Sequence, residues 1–126
     1  MPVMTQKRIY RSDLKNNPDV FYVFGDNQQR IGLGGQAAEM RGEPNAIGIA
    51  TKASPSEFWK EDTPADGMRN GLSLINDMTL VVAVLAEGKT VVFPEDGLGT
   101  GLSELPQRCP KTFQFLESMI EDLKNI

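Results

Sequence analysis

Asp26-Asn27 ends an apolar run, Gly32-Leu33-Gly34-Gly35-Gln36 follows it, and Gly97-Leu98-Gly99-Thr100-Gly101-Leu102-Ser103 stands far downstream. The chemistry that these residue types can do at these spacings is anion binding. Glycine admits φ > 0 and lets a ligand approach backbone N–H groups with no Cβ in the way. Amides gathered in a loop that feeds a helix start make an anion site. The first run has that form ahead of Ala37-Ala38-Glu39-Met40. The second adds further amides and the hydroxyls of Thr100 and Ser103. Together they suit a diphosphate. The first loop lacks the Gly-Lys-Ser/Thr ending of a P-loop and has no Gly-x-Gly-x-x-Gly directly after its strand, so ATP hydrolysis and a Rossmann dehydrogenase both lose ground. One such loop is as readily a plain turn, whereas two at one sheet edge favour a ligand site.

Other chemistries are removed by composition. The chain has no histidine, which excludes His-based acid/base catalysis, Ser-His-Asp and Cys-His nucleophiles, and most zinc sites. Its single cysteine, Cys109, has no second thiol for a disulfide or a shared metal. No metal and no cofactor is expected. With 13 basic against 17 acidic residues and a formal charge of -4, nucleic acid is a poor partner. The longest apolar run, Leu80 to Ala86, is too short to span a bilayer, and the start of the chain has no apolar signal-peptide core. The expectation is one cytoplasmic domain over residues 1–126, with no membrane partner and a 40% apolar composition adequate for a core.

The elements that must position the loops follow from hydrophobic patterning. Val20-Phe21-Tyr22-Val23-Phe24, Ala46 to Thr51 and Thr90-Val91-Val92-Phe93-Pro94 are continuous apolar runs of strand length, as strands covered on both faces require. Arg8-Ile9-Tyr10 reads as a further short strand and Ser12 to Pro18 as a polar turn. Gly34 to Arg41 is helix-compatible. Lys52 to about Gly71, with Pro55, Trp59, Pro64 and Gly67, reads as a surface excursion. Leu72, Ile75, Met78, Thr79, Val82 and Leu85 recur at helical spacing, with Gly88 as a stop. Pro110, Phe113, Leu116, Ile120 and Leu123 give a closing helix. Alternating strands and helices imply an α/β, three-layer sandwich with a mainly parallel or mixed sheet, and both glycine-rich loops fall on the edge where such sheets bind ligands.

"VFGDNQQRIGLGGQA" over residues 23–37 and "VVFPEDGLGTGLSELP" over 91–106 resemble the two signature segments of the macrodomain family, whose members bind ADP-ribose and related nucleotides. The resemblance covers roughly residues 8–50 and 88–110. The chain is shorter than is usual for the family, so a strand or two of its sheet is expected to be missing. It implies that Asp13 accepts from the adenine amine, that Asn27 reaches the distal ribose, and that the amides of Gly34, Gly35 and Gln36 take one phosphate. Gly32 belongs to the same loop, and Gly99, Thr100, Gly101 and Leu102 would take the other phosphate. Asp13 and Asp26 read equally as turn or helix-cap residues, since Asp bonds its own downstream amides. Phe24 and Phe93 read better as core than as site lining, and Trp59 as a cap on the core. Lys52, Arg30 and Arg41 could supply charge to a diphosphate but read better as solvated surface cations.

Hydrolysis of a glycosidic bond would need a positioned acid or base. The carboxylates beside the loops are Asp26, Glu95, Asp96 and Glu104, of which Asp26 and Asp96 are the candidates. Two departures from the hydrolytic branch of the family weaken catalysis: the first loop has no lysine, and Pro106 stands where that branch has an aspartate. The functional expectation is a binder of ADP-ribose or a similar nucleotide, with ADP-ribosyl hydrolysis secondary. Sequestration of another phosphorylated signalling nucleotide and a non-enzymatic protein-interaction module are the alternatives; no protein partner is legible.

Overall fold

The computed structural model describes residues 3–125. Strand β1 spans Val3–Gln6, helix α1 Arg11–Asn16, β2 Val20–Asn27, α2 Ala37–Met40, β3 Ala46–Lys52, α3 Pro64–Ala86, β4 Thr90–Pro94, α4 Leu105–Arg108 and α5 Pro110–Lys124. The four strands form one sheet in the order β1-β4-β2-β3, and every pairing is parallel.

Period-two alternation gives the sheet two buried faces. Tyr22, Phe24 and Val92 pack with Ile9, Leu14, Ala37 and Met40 on the side of α1 and α2. Val23, Ile47, Ile49, Val91 and Phe93 pack with Leu74, Met78, Val81, Leu116 and Ile120 on the side of α3 and α5. Topology explains this division. The steps from β1 to β2 and from β2 to β3 run across the sheet in one direction, and the step from β3 to β4 reverses it. Right-handed crossovers then require the third helix to lie on the opposite face.

The continuous apolar runs are β2, β3 and β4, and β2 continues past Phe24 to Asn27. Other expectations are corrected. The first strand lies at Val3–Gln6, and residues 8–10 instead lead into α1, because Asp13 caps that helix by accepting from the Tyr10 amide (2.8 Å). The turn expected over Ser12 to Pro18 is therefore largely helical. The helix expected from Gly34 shrinks to the four residues Ala37–Met40. The excursion after Lys52 ends early, because Thr63 and Asp66 form a reciprocal capping box with Pro64 in the first turn, and α3 runs from there to Ala86. The exposed edge of β3 is occupied by side chains: Asp77 of α3 accepts from the Ala50 amide (2.8 Å), and Arg30 donates to the Gly48 carbonyl (3.3 Å).

Candidate functional site

The chain leaving β2 turns toward β3, while the chain leaving β4 passes through α4 to α5, which lies against α3 and β1. The adjacent strands β2 and β4 thus form a topological switch point, where parallel sheets open a crevice beyond their carboxyl ends. Pairing between them stops at Tyr22 and Val92, whereas β2 stays paired to β3 as far as Asn27 and Lys52. Into the gap folds the second glycine-rich loop, bringing the Gly99 nitrogen to 3.8 Å from where a Gly25 Cβ would stand. The first loop meets it from the other side, with the Leu102 Cδ1 2.7 Å from the Cβ position of Gly34.

Between the loops lies a cavity of about 400 Å3, within the usual range of about 300–1,000 Å3 for small-molecule sites. Asp26, Asn27, Gly32, Gly34, Gly35 and Gln36 line it from the first loop, and Asp96, Gly99, Thr100, Gly101 and Leu102 from the second. Asp13 does not line it. Its carboxylate accepts from the Tyr10 amide and from the Gln6 side chain (2.9 Å), which fixes the start of α1. Phe24 and Phe93 lie in the two core clusters, and Trp59 is buried against the α3 side while its indole donates to Gln28 (3.2 Å).

The first loop is built by two side chains. The Asn27 carboxamide accepts from the Gln29 amide (3.0 Å) and donates to the Ile31 carbonyl (2.8 Å), closing a turn of the kind Asn favours. Arg41, just past α2, grips the Asp26 carboxylate with both terminal nitrogens (2.5 and 3.2 Å) and donates to the carbonyls of Gly32 (2.7 Å) and Ile31 (3.2 Å). Its guanidinium also lies 5.5 Å from the centre of the Phe24 ring. The Asp26 side chain is only 3% exposed. It has room because Gly48 stands opposite: a Cβ there would sit 2.6 Å from Asp26 Oδ2.

The second loop is tied down by the Leu105 amide donating to the Gly99 carbonyl (2.8 Å) and by a buried hydroxyl pair, Thr51 to Ser103 at 2.6 Å. Gly99 takes φ +78°, and Leu105 leaves no space for a side chain there. Carbonyls are thus engaged while amides are left over. Among the described residues, the backbone N–H groups of residues 31–36 and 98–103 donate no hydrogen bond within the protein.

Charge at the cavity opposes that of the chain. Lys7, Arg8, Arg41 and Lys52 line it, against the carboxylates of Asp26 and Asp96. Asp26 is already neutralised by Arg41, with Arg30 at 3.8 Å. Lys7 and Arg8 were not singled out from the sequence because the first strand was placed at Arg8-Ile9-Tyr10; a cationic pair at the carboxyl end of β1 was the available signal. Arg41, read from the sequence as a solvated surface cation, is instead drawn onto Asp26 and the first loop, partners that lie nine to fifteen positions upstream. The Ser103 hydroxyl, expected to serve a ligand, is instead buried against Thr51, which was not singled out because a buried hydroxyl pair has no sequence signature.

The model of one protein family matches residues 4–119. The chain belongs to this family, described as a family of unknown function (DUF7831). No curated protein and no solved structure matches the chain.

Proposed function

We propose that this chain is a small macrodomain-like protein that binds ADP-ribose or a related diphosphate-bearing nucleotide between its two glycine-rich loops. One observation carries the reading: two stretches of backbone amides without internal acceptors border one cavity at the switch point of a parallel sheet. Unpaired donors gathered around a concavity are what a phosphate replaces water to satisfy. The cationic lining within an acidic chain supports the same ligand charge. The helix dipole adds little, because α2 and α4 have four residues each.

The supporting geometry also changes two roles. Asn27 spends both ends of its carboxamide on the first loop, and so acts by shaping it. Asp26 is held by Arg41 and by the Asn27 amide (2.8 Å), which leaves it ill placed to move a proton. Binding is therefore proposed ahead of turnover.

Isothermal titration with ADP-ribose tests this. Saturable heat is expected, and the double substitution Lys7→Ala with Arg8→Ala is expected to weaken binding by about tenfold, as loss of two partly solvated cations implies. Absence of heat at millimolar ADP-ribose would refute the reading.

A further inference from the structure

The side chains around the cavity differ in whether they are free to read a ligand. Among the described residues, every neutral polar side chain on the lining is already engaged within the protein. Gln36 spends its amide group on both backbone groups of Ile9 (2.9 Å each). Asn27 is committed to the first loop, Thr51 and Ser103 to each other, and Thr100 to the Asp96 carbonyl (3.2 Å). Of the charged groups, Arg41 and Asp26 hold one another and Lys52 donates to the Pro55 carbonyl (3.0 Å). Among the described residues, the charged side chains on the lining left without a hydrogen-bond partner are those of Lys7, Arg8 and Asp96.

Base identity is ordinarily read by paired donors and acceptors on carboxamides, carboxylates or guanidinium groups, matched to one base edge. Among the described residues this lining keeps no free carboxamide: beside main-chain donors it offers the Lys7 ammonium, the Arg8 guanidinium, which lies 5.4 Å from the centre of the Tyr10 ring, and the Asp96 carboxylate, single groups on separate segments with no matched donor–acceptor pair. It also offers exposed apolar side chains on both loops, with Leu33 67% and Leu102 65% exposed. Apolar surface packs against the flat face of any base without distinguishing among them.

Resting on the nucleotide-binding reading above, we infer that the site recognises the diphosphate and is indifferent to the base, so that its ligand class is nucleoside diphosphates and their conjugates irrespective of base. The unpaired amides of residues 31–36 and 98–103 are the donors for the phosphates, and the exposed Leu33 and Leu102 side chains are surface for the base.

The experiment is titration calorimetry of the full chain with ADP, GDP, UDP, adenosine and ADP-ribose under one buffer. The three diphosphates are expected to bind with dissociation constants within about threefold of each other, because a base edge read by a paired side chain would separate them by about tenfold or more. Adenosine is expected to bind at least about a hundredfold more weakly than ADP, as loss of charge-assisted contacts to two phosphates implies. A preference of tenfold or more for one base overturns the inference and leaves nucleotide binding intact. Binding of ADP-ribose with none of the three diphosphates overturns it likewise, by moving recognition to the distal sugar. No binding by any of the five overturns the inference together with the reading beneath it.

Discussion

Arg41 is the residue on which the first loop depends, since one guanidinium neutralises buried Asp26, covers Phe24 and holds two loop carbonyls. Truncating it leaves a carboxylate in the protein without its cation. Arg41→Ala is therefore expected to lower stability by about 3 kcal/mol in urea unfolding, and Arg41→Lys to recover only part, because a point charge cannot grip both carboxylate oxygens. A loss under about 1 kcal/mol would show that Asp26 finds other partners. Cys109 makes a separate point. Burial, reinforced by the negative charges of Glu61 and Asp62, pushes its thiol up from 9.0 to about 11. A raised pKa favours the neutral form in the folded state, so the contribution is complete below pH 9 and lost as pH rises from 9 to 11. Cys109→Ser or Cys109→Ala should flatten that part of the stability curve, while an unchanged alkaline decline would assign it to other groups. At this scale the sequence exposed residue types well and partners poorly. Asn27 was legible as a chemically useful amide, yet its partners follow from a turn that only the folded chain defines. Asp13 was legible both as a ligand carboxylate and as a turn or helix cap, and the structure uses it as the cap of α1.

Among the strands, legibility tracked burial, whereas the stripe that read as the helix of α3 includes the exposed Leu72, Ile75 and Val82, its buried face being Leu74, Met78, Val81 and Val84. Strands β2, β3 and β4 stand out in the sequence because both their faces are covered, which demands continuous apolar runs. Strand β1 does not, because Met4 and Thr5 are exposed and its run VMTQ is not continuously apolar. The early part of α3 was obscured by Gly67 and Gly71, whose low helix propensity is overridden by the capping box and by packing. The glycine-rich elements separate fold from site. Gly99→Ala should cost about 2 kcal/mol or more in unfolding experiments, since it adds a strained φ to an overlap with Leu105. Gly101→Ala, with open space at its Cβ and no positive φ, should stay within about 0.5 kcal/mol of the parent. Comparable losses at both positions would contradict the loop geometry. Glu61 gives the acid counterpart. Its burial alone would raise the pKa, but hydrogen bonds from the Lys111 and Thr112 amides and the Thr112 hydroxyl, at the start of α5, bring it below 4.5. The depressed value means that this stabilisation is present above pH 4.5 and lost as pH falls below it. Glu61→Gln should remove that acid-sensitive component, and an unaltered acid limb would assign it elsewhere.

For the whole molecule, connectivity does what no single residue does: the chain leaves β2 and β4 in opposite directions, and that opens the crevice. The strand-helix alternation made this arrangement legible before any contact was known, although strand order was not. A net charge of -4 with a cationic cavity makes electrostatics local. Raising salt from about 0.1 to about 1 M shortens the screening length from roughly 10 to 3 Å, so affinity for ADP-ribose should fall by about tenfold. Salt-independent binding would mean that uncharged contacts dominate. The central claim is that two distant stretches of main chain grip one anionic ligand together. Amide chemical-shift mapping with 15N-labelled protein and ADP-ribose tests it most directly. Saturable shifts are expected in both 31–36 and 98–103 with a single dissociation constant. Shifts confined to one stretch, or different constants for the two, would contradict it.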